Sequence, residues 1–283
     1  MASTQILRRM GYAHHRSYGN FPPYRVACIA APIALLVMVL GLWLPGSGGG
    51  GNGNGGGGHG NNASLADEQI CASNDDATEV IAACNRLIKA GNQNPHDVGV
   101  DYYHLGVTDL AQHQYAAAIS DYTKSLSYFP NDANAYDGRS AAEGSQGDIA
   151  DVVRDAMSAL QVSPNDTAAL TNLGRAYNQQ GTYDKAVQAE TAALGISKLE
   201  NAYEIRSLAY FDEHQYALAA QDETSALAIN PSNEGDYESR AAAEYEMKNY
   251  AAASNDAQTA LRMTPNDANA QHILQLIKGQ PGQ

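Results

Sequence analysis

From Gly99 to Asp267 the apolar and small residues recur with a helical period, in amphipathic pairs separated by short polar turns. Four turns carry related tetrapeptides: Pro130-Asn131-Asp132-Ala133, Pro164-Asn165-Asp166-Thr167, Pro231-Ser232-Asn233-Glu234 and Pro265-Asn266-Asp267-Ala268. Their prolines lie 34, 67 and 34 residues apart. The long interval is two units, one of them a residue short, and the middle unit ends at Lys198-Leu199 without its proline. Proline cannot extend the helix that precedes it, and Asp or Asn caps the helix that follows. The pattern therefore predicts five helix-turn-helix units and a closing helix over Ala268–Lys278, where Ile273, Leu274 and Ile277 cover the last unit.

Small residues occupy matched places in the units. One set is Gly106, Ser140, Gly174, Ser207 and Ala241; a second is Ala118, Ala186, Ala219 and Ala253, with Val152 as the exception. A third, Ser125, Ala159, Ala193, Ala226 and Ala260, is followed each time by leucine: Leu126, Leu160, Leu194, Leu227 and Leu261. Small side chains at these places let paired helices approach closely. Tyr115, Tyr183, Tyr216 and Tyr250, with Ile149 in the remaining unit, open the second helices.

These positions together resemble the tetratricopeptide repeat, a unit of about 34 residues with the pattern W-x-x-L-G-x-x-Y, then Ala, an aromatic and Pro. Tyr102, Leu105, Gly106, Ala118, Tyr122 and Pro130 carry the match in one unit; Leu170, Leu173, Gly174, Tyr177, Tyr183 and Ala186 carry it in another. Unit two departs from the pattern, with Arg139-Ser140 in place of Leu-Gly and Glu143 at the aromatic position, which leaves its local packing open. The resemblance implies an all-α, right-handed superhelix (an α-solenoid) over residues 99–267, followed by a cap and tail at 268–283. Residues 65–98 read as a degenerate hairpin in the same register. On that register Cys71 and Cys84 take the two aromatic slots that approach across a hairpin, which implies a Cys71–Cys84 disulfide, with two buried free thiols as the alternative. Cys28 lies apart in an apolar run.

That run, Val26–Leu44, holds 19 residues without a charge, enough to span about 28 Å as a helix. Arg8, Arg9, Arg16 and Arg25 all precede it, and no Lys or Arg follows before Arg86. The expected topology has a basic leader (1–25) in the cytoplasm, a transmembrane anchor (26–44), a flexible Gly/Asn-rich linker (45–64) and an exported repeat domain, with the bacterial periplasm as compartment. A cleaved signal with its core at Ile33–Leu44 is the competing reading. The Gly-rich stretch has no GK[ST] after it, so it does not read as a phosphate loop.

Charge narrows the function. The first 66 residues contain no acid; of 17 Lys and Arg, all but those four arginines follow, against 31 Asp and Glu, giving −18 from Asp67 onward. So acidic a body is unsuited to nucleic acid and to anionic lipid. The eight histidines show no metal-ligand spacing, and no catalytic motif is present, so neither an enzyme, a metal nor a cofactor is expected. Asn62-Ala63-Ser64 and Asn165-Asp166-Thr167 match a glycosylation acceptor by composition alone.

The resemblance further implies a concave groove lined by first helices. Its residues here are Thr171, Asn172, Arg175 and Asn178 in unit three, Glu204, Leu208 and Phe211 in unit four, and Glu238, Ala242 and Tyr245 in unit five. The amides and Arg175 suit a peptide backbone or carboxylate, and Phe211 and Tyr245 offer apolar contact. The Lys/Arg/Asn cluster of chaperone-tail binders is absent. The expectation is a membrane-tethered, non-catalytic scaffold for a protein or peptide partner; a self-associating envelope protein without a groove ligand is the alternative.

Overall fold

The computed structural model describes residues 60–73, 76–91 and 93–280. Among them there are thirteen α-helices and no strand. An N-terminal hairpin pairs α1 (Gly60–Cys71) with α2 (Ala77–Ala90). Five units follow: α3 (Pro95–Ala111) with α4 (Tyr115–Tyr128), α5 (Ala133–Gln146) with α6 (Ile149–Val162), and α7 (Thr167–Gln179) with α8 (Tyr183–Ile196). The last two are α9 (Glu200–Asp212) with α10 (Tyr216–Ile229), and α11 (Glu234–Glu246) with α12 (Tyr250–Met263). Helix α13 (Ala268–Lys278) closes the array and buries Ile273 and Ile277.

The Val26–Leu44 segment and the glycine run before residue 60 lie outside the described residues. Among the described residues, no helix is long and apolar enough to cross a membrane. Helix α1 begins at Gly60, within the stretch read as linker, because a helix nucleated further along extends outward at small cost per residue.

Each turn works as its residues dictate. Asp132 Oδ1 accepts from the backbone N–H groups of Asn134 and Ala135, Asp166 from Ala168 and Ala169, and Asp267 from Asn269 and Ala270. Between units three and four Leu199 stands at the cap with no side-chain bond, and it packs instead, with Leu160 and Leu194, against the buried cluster of Leu170, Ala193 and Ala202. Between the helices of each unit one residue takes the left-handed conformation: His113, Gly147, Gly181, His214 and Lys248. Glycine fills only two of these five places, so three units carry the conformational strain of a side chain there.

The three ladders of small residues are buried in every unit. At Gly174 an added Cβ would stand 1.9 Å from Glu190 Oε1, and at Gly138 it would stand 2.3 Å from the Tyr122 ring. The helices thus approach closely enough that a single methyl group changes the fit. In the N-terminal hairpin Cys71 and Cys84 form a disulfide within a small core with Val80, Ala83, Leu87 and Leu105. Its 13-residue separation corresponds to about 3 kcal/mol in the chain-entropy account.

Arg139 resolves the departure in unit two. It donates from Nε and Nη2 to both carboxylate oxygens of Asp155, at 2.5 and 3.0 Å, and from Nη1 to Thr123 on the preceding unit. Arg206 repeats this with Asp222 and Thr191, and Arg240 with Asp256 and Thr224. Each guanidinium therefore joins three helices. Glu143, at the aromatic slot, pairs with Arg154 at 3.2 Å. Unit three has Leu173 and Ala189, both buried, at the places of the arginine and the aspartate.

Unit three supplies the control for a test in unit four. Arg206→Leu alone leaves the buried Asp222 uncompensated and is expected to cost about 3 kcal/mol. Arg206→Leu with Asp222→Ala reproduces the unit-three pair and should return to within about 1 kcal/mol of the parent in denaturant unfolding.

Candidate partner-binding groove

From unit one to unit four successive first helices pack against one another (α3 on α5, α5 on α7, α7 on α9), and α11 packs on α13, whereas α9 and α11 stand further apart and no pair of second helices packs comparably. First helices that stand closer together than second helices must lie on the inside of the curve. The concave face is thus built from α3, α5, α7, α9 and α11, and the side chains that matter are those on their inner faces.

The predicted groove residues divide by burial. Thr171, Asn172 and Asn178 are buried in the stack. Thr171 Oγ1 donates to the carbonyls of Thr167 and Ala168, and Asn178 Nδ2 donates 2.7 Å to the Ile205 carbonyl on the next unit. Asn178 thus serves the joint between units three and four and Thr171 bonds within its own helix, so these buried side chains are not exposed as the partner-facing amide patch that the sequence suggested. Arg175 is half-buried, with Glu190 and Glu204 as charged neighbours that its guanidinium favours in the ionised form. The cation expected to meet a carboxylate therefore already faces two.

Units four and five hold the apolar part. Glu204, Leu208 and Phe211 share one face of α9 by their i, i+4, i+7 spacing, and all three stay half-buried. Phe211 and Ala242 both pack against the cluster that includes Tyr245, and Phe211 meets the Tyr216 ring edge-on at 5.2 Å. Tyr245 is buried, its hydroxyl accepting from Gln280 Nε2 at 2.8 Å.

Sequence reading missed the acids that gather around these residues. Asn233 Nδ2 lies 2.9 Å from Glu200 Oε1, 2.8 Å from Glu204 Oε1 and 2.9 Å from Asp236 Oδ1. One unit on, Glu234, Glu238 and Asp267 converge, with Asn269 Nδ2 donating 3.0 Å to Glu238 and Thr264 donating to Glu234. In each trio the carboxylate oxygens lie within 4.8 Å of one another, a spacing that suits a bound cation. Towards the N-terminal side Asp137 faces Asp166 and Asp132. The recurrence of Glu200 and Glu204 at Glu234 and Glu238, and of Arg206 at Arg240, was the available signal.

Burial decides the protonation of these groups. Desolvation, reinforced by Asp166, pushes the Asp137 carboxyl up to about 9. Desolvation and then Glu204 push Asp236 up to about 9. Burial likewise raises Glu190 and Glu223 well above the ordinary carboxylate range.

No protein-family model and no curated protein matches the sequence. Solved structures do match its architecture. A tetratricopeptide repeat protein from Parabacteroides merdae aligns at a TM-score of 0.64 and 18% identity, over 77% of this chain and 86% of that one. The chain has the tetratricopeptide-repeat fold. A second similar structure is YrrB, described as a TPR protein with an unusual peptide-binding site, at a TM-score of 0.57 and 15% identity, over 66% of this chain and 97% of that one. MamA from residue 41 onward, from Desulfovibrio magneticus, aligns at 0.56 and 15%, over 62% and 98% of the two chains. Identities this low establish the fold of the TPR array and leave its ligand to be argued from its own groove.

The titration of Asp137 is measurable. An unfolded aspartate ionises near pH 3.9, so between about pH 4 and 9 the folded TPR array holds a proton that the unfolded chain has lost. Stability should fall as pH rises through that window, by at most about 1.4 kcal/mol per pH unit for one group. Asp137→Asn should reduce this slope and raise the melting temperature at pH 8, with little effect at pH 4.

Proposed function

We propose that this chain is a non-catalytic scaffold that binds a protein or peptide segment in the concave groove of its TPR array, chiefly along units four and five. The observation that carries the reading is the half-buried pair Leu208 and Phe211 on one face of α9, with Phe211 packed against the α11 cluster that holds Tyr245. An apolar strip on the inner face, flanked by polar side chains, is the anatomy of a groove that takes an extended or helical segment. YrrB, of the same fold, is described as having a peptide-binding site, which lends support. The acidic surroundings and the pairing of Arg175 with Glu190 and Glu204 disfavour an acidic tail as ligand.

The proposal includes a tether. Val26–Leu44 is apolar over 19 residues, with its arginines all on the N-terminal side. That asymmetry supports a single-pass anchor with residues 1–25 in the cytoplasm and the repeats exported, in the periplasm if the cell is bacterial. A disulfide in the N-terminal hairpin accords with export. Protease added outside spheroplasts should then digest the repeats and spare an epitope placed on the leader; digestion only after lysis would reverse the topology.

The partner is tested by affinity capture from crosslinked membranes. The full chain should retain a discrete protein that Leu208→Ala/Phe211→Ala loses and Asn172→Ala/Asn178→Ala keeps in proportion to its folded fraction. Retention by both variants would move the site off units four and five. Capture of the chain alone by all forms would favour self-association through the repeat faces.

A further inference from the structure

The acidic pocket between units four and five gives the groove a chemical preference. We propose that it receives a Lys or Arg side chain of the docking segment, held by Glu200, Glu204 and Asp236. The inference rests on the groove reading above and specifies its ligand.

Geometry comes first. Three carboxylate oxygens, mutually within 4.8 Å, surround one N–H group, the Asn233 amide, at 2.8–2.9 Å. These are the distances at which an ammonium or guanidinium is held by carboxylates. The amide brings two protons to three acceptors and carries no charge. It also accepts from the Gly235 N–H as the cap of α11, so it is a fixed fitting of the pocket wall.

A second observation lies behind the trio. Glu223, on α10, is 2% exposed, and its Oε2 accepts no hydrogen bond. Ser207 hydrogen-bonds its carboxyl, and its principal charged neighbours are Asp236 and Glu204, so it lies close to the trio within the stack. Asp236, 3% exposed, likewise has an oxygen, Oδ2, without a donor. Asn230 Nδ2 also donates to Glu200 Oε1 at 2.9 Å, so four acids meet with two amide side chains among them, and a docking cation favours their ionised forms against the burial that raises them. Of the nearby cations, Arg240 binds both oxygens of Asp256, and Arg175 lies between Glu190 and Glu204, so only Glu204 and Asp236 feel part of a counter-charge and Glu200 has none from either arginine.

The approach also fits. Leu208 and Phe211 lie one and two turns beyond Glu204 on the same face of α9, so the alkyl stem of a long basic side chain can run over apolar surface while its head reaches the acids. The net charge of −18 from Asp67 onward attracts such a segment from a distance.

The test uses the full chain, immobilised, and a nonapeptide library with one fixed central residue and random flanks, bound in chelating buffer. Pools fixed as Arg or Lys should be retained at least about tenfold over pools fixed as Gln or Glu, the order expected for a desolvated charge-assisted contact. Glu204→Gln/Asp236→Asn should abolish that preference while keeping selection for apolar flanks. Glu200→Gln, at a half-buried position, should weaken it. Circular dichroism melts confirm that each variant is folded. Selection for apolar flanks without preference for a basic residue, or a preference that survives all three substitutions, overturns the cation pocket and leaves the groove reading intact. Failure to retain any pool overturns both.

Discussion

The array depends on how closely its helices approach. Alanine, serine and glycine at the buried ladder positions bring α-helix against α-helix with little side chain between them, and each unit buries its second helix on the next first helix through the same contacts. Curvature follows: first helices crowd together, second helices spread, and a concave face results. Tyr122 shows how little slack exists, filling space over both Gly106 and Gly138. A core of small residues gives modest apolar burial per position, so the joints between units need other contributions.

Those contributions are ionic and unevenly distributed. Arg139, Arg206 and Arg240 each lock two helices of one unit to the preceding unit, whereas unit three makes the same joint with Leu173 and Ala189. Paired charges of this kind fix geometry more than they add stability. The concave acids are a different population. Asp137, Asp236 and Glu223 are buried with carboxylate oxygens that no donor satisfies, a cost for the isolated array. Unit three interrupts this line too, with Thr171 where units two, four and five have Asp137, Glu204 and Glu238. The same unit lacks the Asp or Asn cap at its exit and uses Leu199 there. Its joint is made without the Arg–Asp pair, and the acid trios of units four and five lie beyond it.

Much of the fold was legible in the sequence. The Pro-Asn-Asp turns announced the helix boundaries, and the ladders announced the packing, because both are local rules repeated in register. The Cys71–Cys84 pairing followed once the degenerate hairpin was placed in that register. The groove was harder to read. Asn172, Thr171 and Asn178 occupy first-helix positions that look available from spacing alone, yet the tight stack consumes them. Whether a polar residue on the inner face is exposed depends on how far the next unit overlaps it, and that overlap is a tertiary quantity. Arg139 looked like a defect of one unit because the comparison was made with the family pattern; comparison with Arg206 and Arg240 within the chain would have shown a second, ionic version of the same joint.

The most direct measurement is site-specific photocrosslinking in intact membranes. A benzophenone side chain is placed at Leu208 or Phe211 on the inner face of α9, and in parallel at Ile196 or Ile229, which are about half exposed at the ends of second helices. Crosslinks to a distinct protein from the α9 positions, with none from Ile196 or Ile229, are the predicted result. Crosslinks confined to Ile196 and Ile229 would contradict it, because the partner would then be reading the outer edge of the array.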